Sequence, residues 1–171
     1  MNENLKTLSK NELIAYIEDI SKNWLAIDGT WFQAVEKRYG METAIECDVD
    51  SWNVFTVVEA KRIMQRFKIE KNGGIPALIK ALGFRIYANI NKQEIVEISE
   101  NRCVFRMNDC RVQSARKRKG LPDFPCKKVG ITEYTLFAKT IDPRIEVNCI
   151  CCPPEEHPEE YYCSWLFEIR S

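Results

Sequence analysis

Residues 145–169 read IEVNCICCPPEEHPEEYYCSWLFEI, and their pattern decides the fold. Ile145, Val147, Cys149 and Cys151 alternate along the chain, and Tyr161, Cys163, Trp165, Phe167 and Ile169 alternate again beyond a Pro- and Glu-rich loop. A period of two places every second side chain on one face, so the segment predicts a β-hairpin. Upstream, Ile131, Tyr134, Phe137 and Ala138 recur at helical spacing and predict a helix that ends before Asp142-Pro143. Before that comes a loop, Leu121 to Pro125, and a polar helical stretch, Arg111 to Lys119, closed by Gly120. Val96 and Ile98, then Cys103, Phe105 and Met107, alternate around a turn near Glu100-Asn101 and predict a first hairpin.

The other half of the chain keeps a period near 3.6. Ser9-Lys10-Asn11-Glu12 matches a capping box, and Leu13, Ile17, Ile20 and Trp24 follow at helical spacing, so a helix starts near Asn11. Asp28-Gly29 predicts a break or kink, Gly40 a helix end, and Cys47 to Asp50 a further break with a restart near Trp52. Val54, Val58, Ile63 and Phe67 are the expected buried side of that last segment. Gly73-Gly74 ends the run, and Pro76 opens a helical segment reaching Tyr87. The expected fold class is therefore α+β: one domain, 1–171, with a helical part at 1–90 and a cysteine-rich part at 91–171. The second part carries a β-β-α-β-β four-stranded antiparallel sheet packed on helices.

Lys plus Arg and Asp plus Glu each number 25, so no global field draws the chain onto nucleic acid or an anionic membrane. Arg116 to Lys119 reads as a solvated basic helix face. No apolar run approaches the roughly 18 to 20 residues of a membrane span, and no export signal is read at the amino terminus, so the expected location is cytoplasmic. In that compartment eight cysteines point to reduced thiols, metal ligation or redox chemistry before a disulfide framework. No G-x-S-x-G elbow, P-loop or G-x-G-x-x-G occurs, which removes the common hydrolase and nucleotide signatures.

Cys110 follows the first hairpin, Cys126 follows the Pro-rich loop, and Cys149-x-x-Cys152 closes the third strand, with Cys163 on the fourth. Two hairpins of one antiparallel sheet bring such ends near one layer, where Cys110, Cys126, Cys149 and Cys152 would form a tetrahedral thiolate site, Cys163 serving as a fifth or substitute ligand. Zinc is the expected metal, ahead of an iron–sulfur cluster. Two other readings stay open: buried thiols acting as small hydrophobes, since Cys149, Cys151 and Cys163 share the phase of Trp165 and Phe167, and a reactive thiol at Cys126 beside Lys127-Lys128. Cys47 and Cys103 have no assigned role. The one histidine, His157, lies in a charged proline-flanked loop and reads as a surface residue. Asp28, Trp31, Phe32 and Glu36 lie on an aromatic-rich helical segment, where acidic groups beside a pocket would suit a polar or cationic ligand. Trp24, Trp31, Trp52 and Trp165 are expected to help form the core or line an apolar cavity.

The runs Trp24-x-x-x-Asp28-Gly29-x-Trp31-Phe32-x-x-Val35-Glu36, Cys110-Arg-Val-Gln-x-x-Arg116, Phe124-Pro-Cys126, Cys149-x-x-Cys152-Pro-Pro and Cys163-x-Trp165-x-Phe167 resemble an uncharacterised prokaryotic cytosolic family. That family is similar to the L-2-amino-thiazoline-4-carboxylic acid hydrolase-like proteins and, more distantly, to 4-vinyl reductase domains. The resemblance implies the fold of 4-vinyl reductase domains and vesicle-tethering TRAPP subunits, often dimeric through helices. It also implies a small-molecule- or metal-binding module. Three functions follow: a module binding zinc beside an apolar pocket; a hydrolase of a small cyclic amide or thiazoline, with a cysteine nucleophile and His157 or a carboxylate as base; and a non-catalytic interaction subunit. The expected partners are a small apolar or polar ligand and a second copy of the chain, not nucleic acid.

Overall fold

Ser9 and Glu12 exchange hydrogen bonds, each side chain accepting from the other's backbone N–H, and this capping box starts α1 (Lys10–Phe67) where the sequence places it. The computed structural model describes residues 2–170; Met1 and Ser171, the outer limits of the expected domain, lie outside them. Helix α1 folds back on itself at Gly40, whose φ of 87° and ψ of 167° suit glycine alone. The Trp24 ring therefore lies 6.2 Å from that of Trp52 and 5.5 Å from that of Phe55. A straight helix would hold residues 24 and 52 roughly 40 Å apart. The arms 10–39 and 41–67 thus form an antiparallel hairpin.

Two expected breaks are absent. The helix runs through Asp28-Gly29 and through Cys47 to Asp50 without interruption. One glycine costs a helix only about 1 kcal/mol, which the packing of Trp24 and Trp52 on either side outweighs. The second arm buries Ile63 as expected but otherwise a different face. Trp52, Thr56, Glu59, Ala60 and Ile63 point inward, whereas Val54, Val58 and Phe67 are exposed. Trp31, expected in the core, is 71% exposed.

After α1 come α2 (Gly74–Leu82), whose Ile75, Leu78, Ala81 and Leu82 are buried, and a 3-10 turn at Ile86–Asn89. Then follow β1 (Lys92–Val96), β2 (Arg102–Asp109), α3 (Arg111–Arg118), α4 (Lys127–Ile141), β3 (Ile145–Cys151) and β4 (Cys163–Ile169). The four strands form one antiparallel sheet in the order β1-β2-β4-β3. Cys103 faces Phe167, Phe105 faces Trp165 and Met107 faces Cys163 across β2 and β4, giving the sheet an apolar inner surface. Helix α4 covers it with Tyr134, Phe137, Ala138 and Ile141. Gly130 makes the approach close: a Cβ there would lie 2.6 Å from Trp165 Cζ2. The fold is the expected α+β arrangement of a four-stranded antiparallel sheet packed on helices.

Candidate functional site

Between the α1 hairpin, α3, α4 and the near ends of β2 and β4 lies a cavity of about 350 Å³. Its walls are set by chain geometry. Cys110 caps the start of α3 directly after β2, and the Arg111 N–H donates to Asn91 Oδ1, fixing the turn. Buried Gln113 clasps the following loop, donating from Nε2 to the Phe124 carbonyl and accepting from the Phe124 N–H. The Lys127 N–H donates to the Pro153 carbonyl, so the start of α4 and the end of β3 are tied together. That tie brings Cys126 Sγ within 3.4 Å of Cys152 Sγ.

Cys110, Cys126, Cys152 and Cys163 all line the cavity. Cys149 does not; it packs half-buried against the core, and a bulge between Cys149 and Cys151 turns Cys152 inward. Among the described residues, no group of three or more His, Cys, Asp or Glu side chains is gathered in a metal-holding arrangement. The Cys152 thiol is held protonated by its hydrogen bonds to Cys126 and Cys163, while Cys163, receiving that bond, is held lower than an ordinary thiol. Burial pushes Cys110 up to about 12 and Cys149 up to about 11. Thiols so raised are poor nucleophiles at neutral pH. His157 is engaged elsewhere, Nδ1 donating to the Pro158 carbonyl and the ring packing on Tyr162. Cys47 is exposed and Cys103 fully buried.

The remaining walls are aromatic and acidic. Trp52 stacks on Tyr87, their centroids 5.8 Å apart, and Trp24 meets both edge-on. Phe32, Phe124, Tyr134 and Trp165 complete the surface. Asp28 and Asp48 enter from the two arms of α1 and Glu133 from α4. Burial raises the Asp28 carboxyl. Asp48 is raised to about 7, first by burial and then by the charges of Asp28 and Glu133. Burial also raises Glu133, against the pull of Arg85, whose Nη1 lies 2.6 Å away.

Arg85 is the floor beneath this surface. It is 2% exposed, its Nε donates to Glu59 Oε2 at 2.9 Å, and its guanidinium lies over Trp52, Tyr134 and Phe137. Two sequence expectations meet on the opposite wall. Glu36 is not free to meet a ligand, because Arg116 grips it bidentately at 2.8 and 3.1 Å, which holds its carboxyl below the usual range. Arg116 is correspondingly buried, while Lys117, Arg118 and Lys119 form the exposed basic face the sequence predicts.

Asp28 was legible as a pocket acid, but Asp48, Tyr87, Arg85 and Glu133 were missed. Asp48 carried one signal, since it sits a helical turn before Trp52 and so shares its face.

Among the described residues, no helix is long and apolar enough to cross a membrane. A crystal structure of the phenol-responsive sensory domain of the transcription activator PoxR, with phenol, matches the fold with a TM-score of 0.57. The match covers 84% of this chain and 73% of that one, at 16% sequence identity, and is a likeness of fold. No curated protein matches the sequence. Residues 6–169 match the family of unknown function DUF6125, and the chain belongs to that family.

Proposed function

We propose that the chain is a small-molecule-binding module of the sensory type, whose ligand occupies the cavity bounded by α1, α3, α4 and the sheet. The observation that carries this reading is the cavity itself. At about 350 Å³, with Trp52, Tyr87, Tyr134 and Trp165 around a few ionisable groups, it has the size and lining of a site for a compact ring-bearing ligand. The sensory domain of like fold, crystallised with phenol, supports the reading. Kinship with 4-vinyl reductase domains, a cytoplasmic location and a homodimer belong to the same proposal. Calorimetric titration of the purified chain with single-ring aromatic compounds tests it. At least one should bind at one per chain and raise the melting temperature; no binding up to millimolar concentration of any of them rejects the reading.

A second reading is favoured by the 3.4 Å separation of Cys126 and Cys152. Two thiolates on one tetrahedral zinc lie about 3.8 Å apart, given bonds of about 2.3 Å, so this pair needs only a small adjustment to share an ion. Cys163 would be the third donor and Cys110 or Cys149 the fourth; bound zinc would fix the cysteine-lined end of the cavity. Metal analysis of protein purified without added zinc should then give about one ion per chain, lost in the Cys126→Ser/Cys152→Ser variant. Substoichiometric metal in every preparation removes this reading.

A further inference from the structure

Asp28 and Asp48 line the cavity from the two arms of α1, and among the described residues neither has a basic side chain within 4 Å. The polar neighbour of Asp48 is the neutral side chain of Trp52. The other buried carboxylates nearby do not share this condition. Glu59 is held by Arg85 Nε, and Glu133 lies against Arg85 Nη1. Arg85 is thus spent on two acids. Of the other cations along the cavity, Arg116 is held by Glu36, Lys22 by Glu18 and Asp19, and Lys119 donates to Gln33, while Arg111 and Arg118, both on α3, form no ion pair within 4 Å with either aspartate. Carboxylates brought together in a partly desolvated space repel one another and favour any cation that enters. Other aromatic rings line the cavity beside them, and aromatic faces attract cationic groups. Arg85 shows that attraction within the protein, lying over Trp52 at 5.7 Å.

A second group points to the rest of the ligand. Trp165 is 1% exposed and lines the same cavity, and its indole N–H has no aligned hydrogen-bond acceptor, although it faces the Cys163 sulfur. A buried donor left without a partner costs about 1–3 kcal/mol, a cost removed when a ligand oxygen accepts from it.

The geometry points to an organic cation as the ligand of this cavity: a protonated amine on a ring-bearing body that also carries a hydroxyl or carbonyl oxygen, its ammonium between Asp28 and Asp48 and its oxygen on the Trp165 indole. This inference rests on the small-molecule reading above and narrows it to one charge class.

Three probes of nearly equal shape separate the two claims: tyramine, 4-ethylphenol and 4-hydroxyphenylacetate, titrated calorimetrically into the full chain at pH 8. Tyramine is expected to bind at least tenfold more tightly than 4-ethylphenol, with the acid showing no binding. Phenethylamine, which lacks the hydroxyl, should bind more weakly than tyramine. In the Asp28→Asn/Asp48→Asn variant the preference of tyramine over 4-ethylphenol should disappear while 4-ethylphenol binding is kept, a readout that a misfolded variant would not give. Equal or tighter binding of 4-ethylphenol or of the acid overturns the cation inference and leaves the small-molecule reading standing. Absence of binding by all the probes overturns both.

Discussion

Asp48 illustrates how one side chain reports on a cavity. Its carboxyl is raised to about 7 by burial and by the neighbouring charges of Asp28 and Glu133, so between about pH 4 and 7 the folded chain holds a proton that the unfolded chain has released. A raised acid therefore contributes stability at low pH that is lost as pH rises through 7. Asp48→Asn removes that loss: the variant should melt higher than the wild type at pH 8, with the gap narrowing towards pH 5. Parallel melting-temperature profiles for the two proteins would contradict the placement of Asp48. Gly130 makes the complementary case for packing. A methyl there would meet the Trp165 ring at 2.6 and 2.9 Å, and neither α4 nor β4 is free to retreat. Gly130→Ala is expected to cost about 1–3 kcal/mol in urea denaturation, with a shift in Trp165 fluorescence as the indole is displaced.

At the scale of elements, the strands were legible because their period of two places the large apolar residues on the core face, although Val104 and Ser164 on the other face of β2 and β4 are buried as well. Cys103, Phe105 and Met107 on β2, and Cys163, Trp165 and Phe167 on β4, are buried as their spacing requires. The helical half was less legible, for a geometric reason. Two helical arms packed on one another and on α4 bury parts of more than one face, so the apolar residues do not mark a single stripe. Val54 and Val58 are outside, while Thr56 and Glu59, polar by sequence, are inside. Asp28 and Asp48 looked like helix breakers for a related reason: polar residues in a helix signal either a turn or a wet cavity, and only the fold-back at Gly40 brings the two together. The cysteine spacing was legible as a cluster for Cys126, Cys152 and Cys163, and misleading for Cys149, which precedes the bulge in β3 and packs against the core instead of lining the cavity. Gly40 carries the heaviest local demand. With φ at 87° and ψ at 167° it occupies a region that a side chain makes costly, and Gly40→Ala should lose about 1–3 kcal/mol. Its midpoint in urea is the measurement, and Gly29→Ala in an ordinary stretch of the same helix is the control, expected to be neutral or stabilising by up to about 1 kcal/mol.

In the whole molecule, the helical and sheet-bearing halves meet at Arg85. Its guanidinium joins Glu59 on the second arm of α1 to Glu133 on α4, and it lies against Trp52, Tyr134 and Phe137 from both sides of the junction. Glu59 also accepts from the Ile86 N–H, so the same carboxylate fixes the turn leading into the sheet. A buried ion network of this kind adds less stability than its short contacts suggest, because desolvation offsets much of the attraction. Breaking it is another matter. Arg85→Ala would leave two buried carboxylates without their cation, and the expected loss is about 3–5 kcal/mol. The sign with pH follows from Glu133, which burial already raises and which only Arg85 pulls down. Without Arg85 its folded pKa rises further above the unfolded value, the folded variant binds the extra proton, and stability falls as pH increases. The loss should therefore be larger at pH 8 than at pH 5. Combining Arg85→Met with Glu59→Gln and Glu133→Gln removes the charges together. That triple variant should recover much of the stability and abolish the pH dependence that the loss of Arg85 adds, since the side-chain amide oxygen introduced at position 59 can still accept from the Ile86 N–H. Urea denaturation of the two variants at both pH values decides the matter: a pH-independent loss below about 1 kcal/mol for Arg85→Ala would mean that the two halves are joined by apolar packing alone.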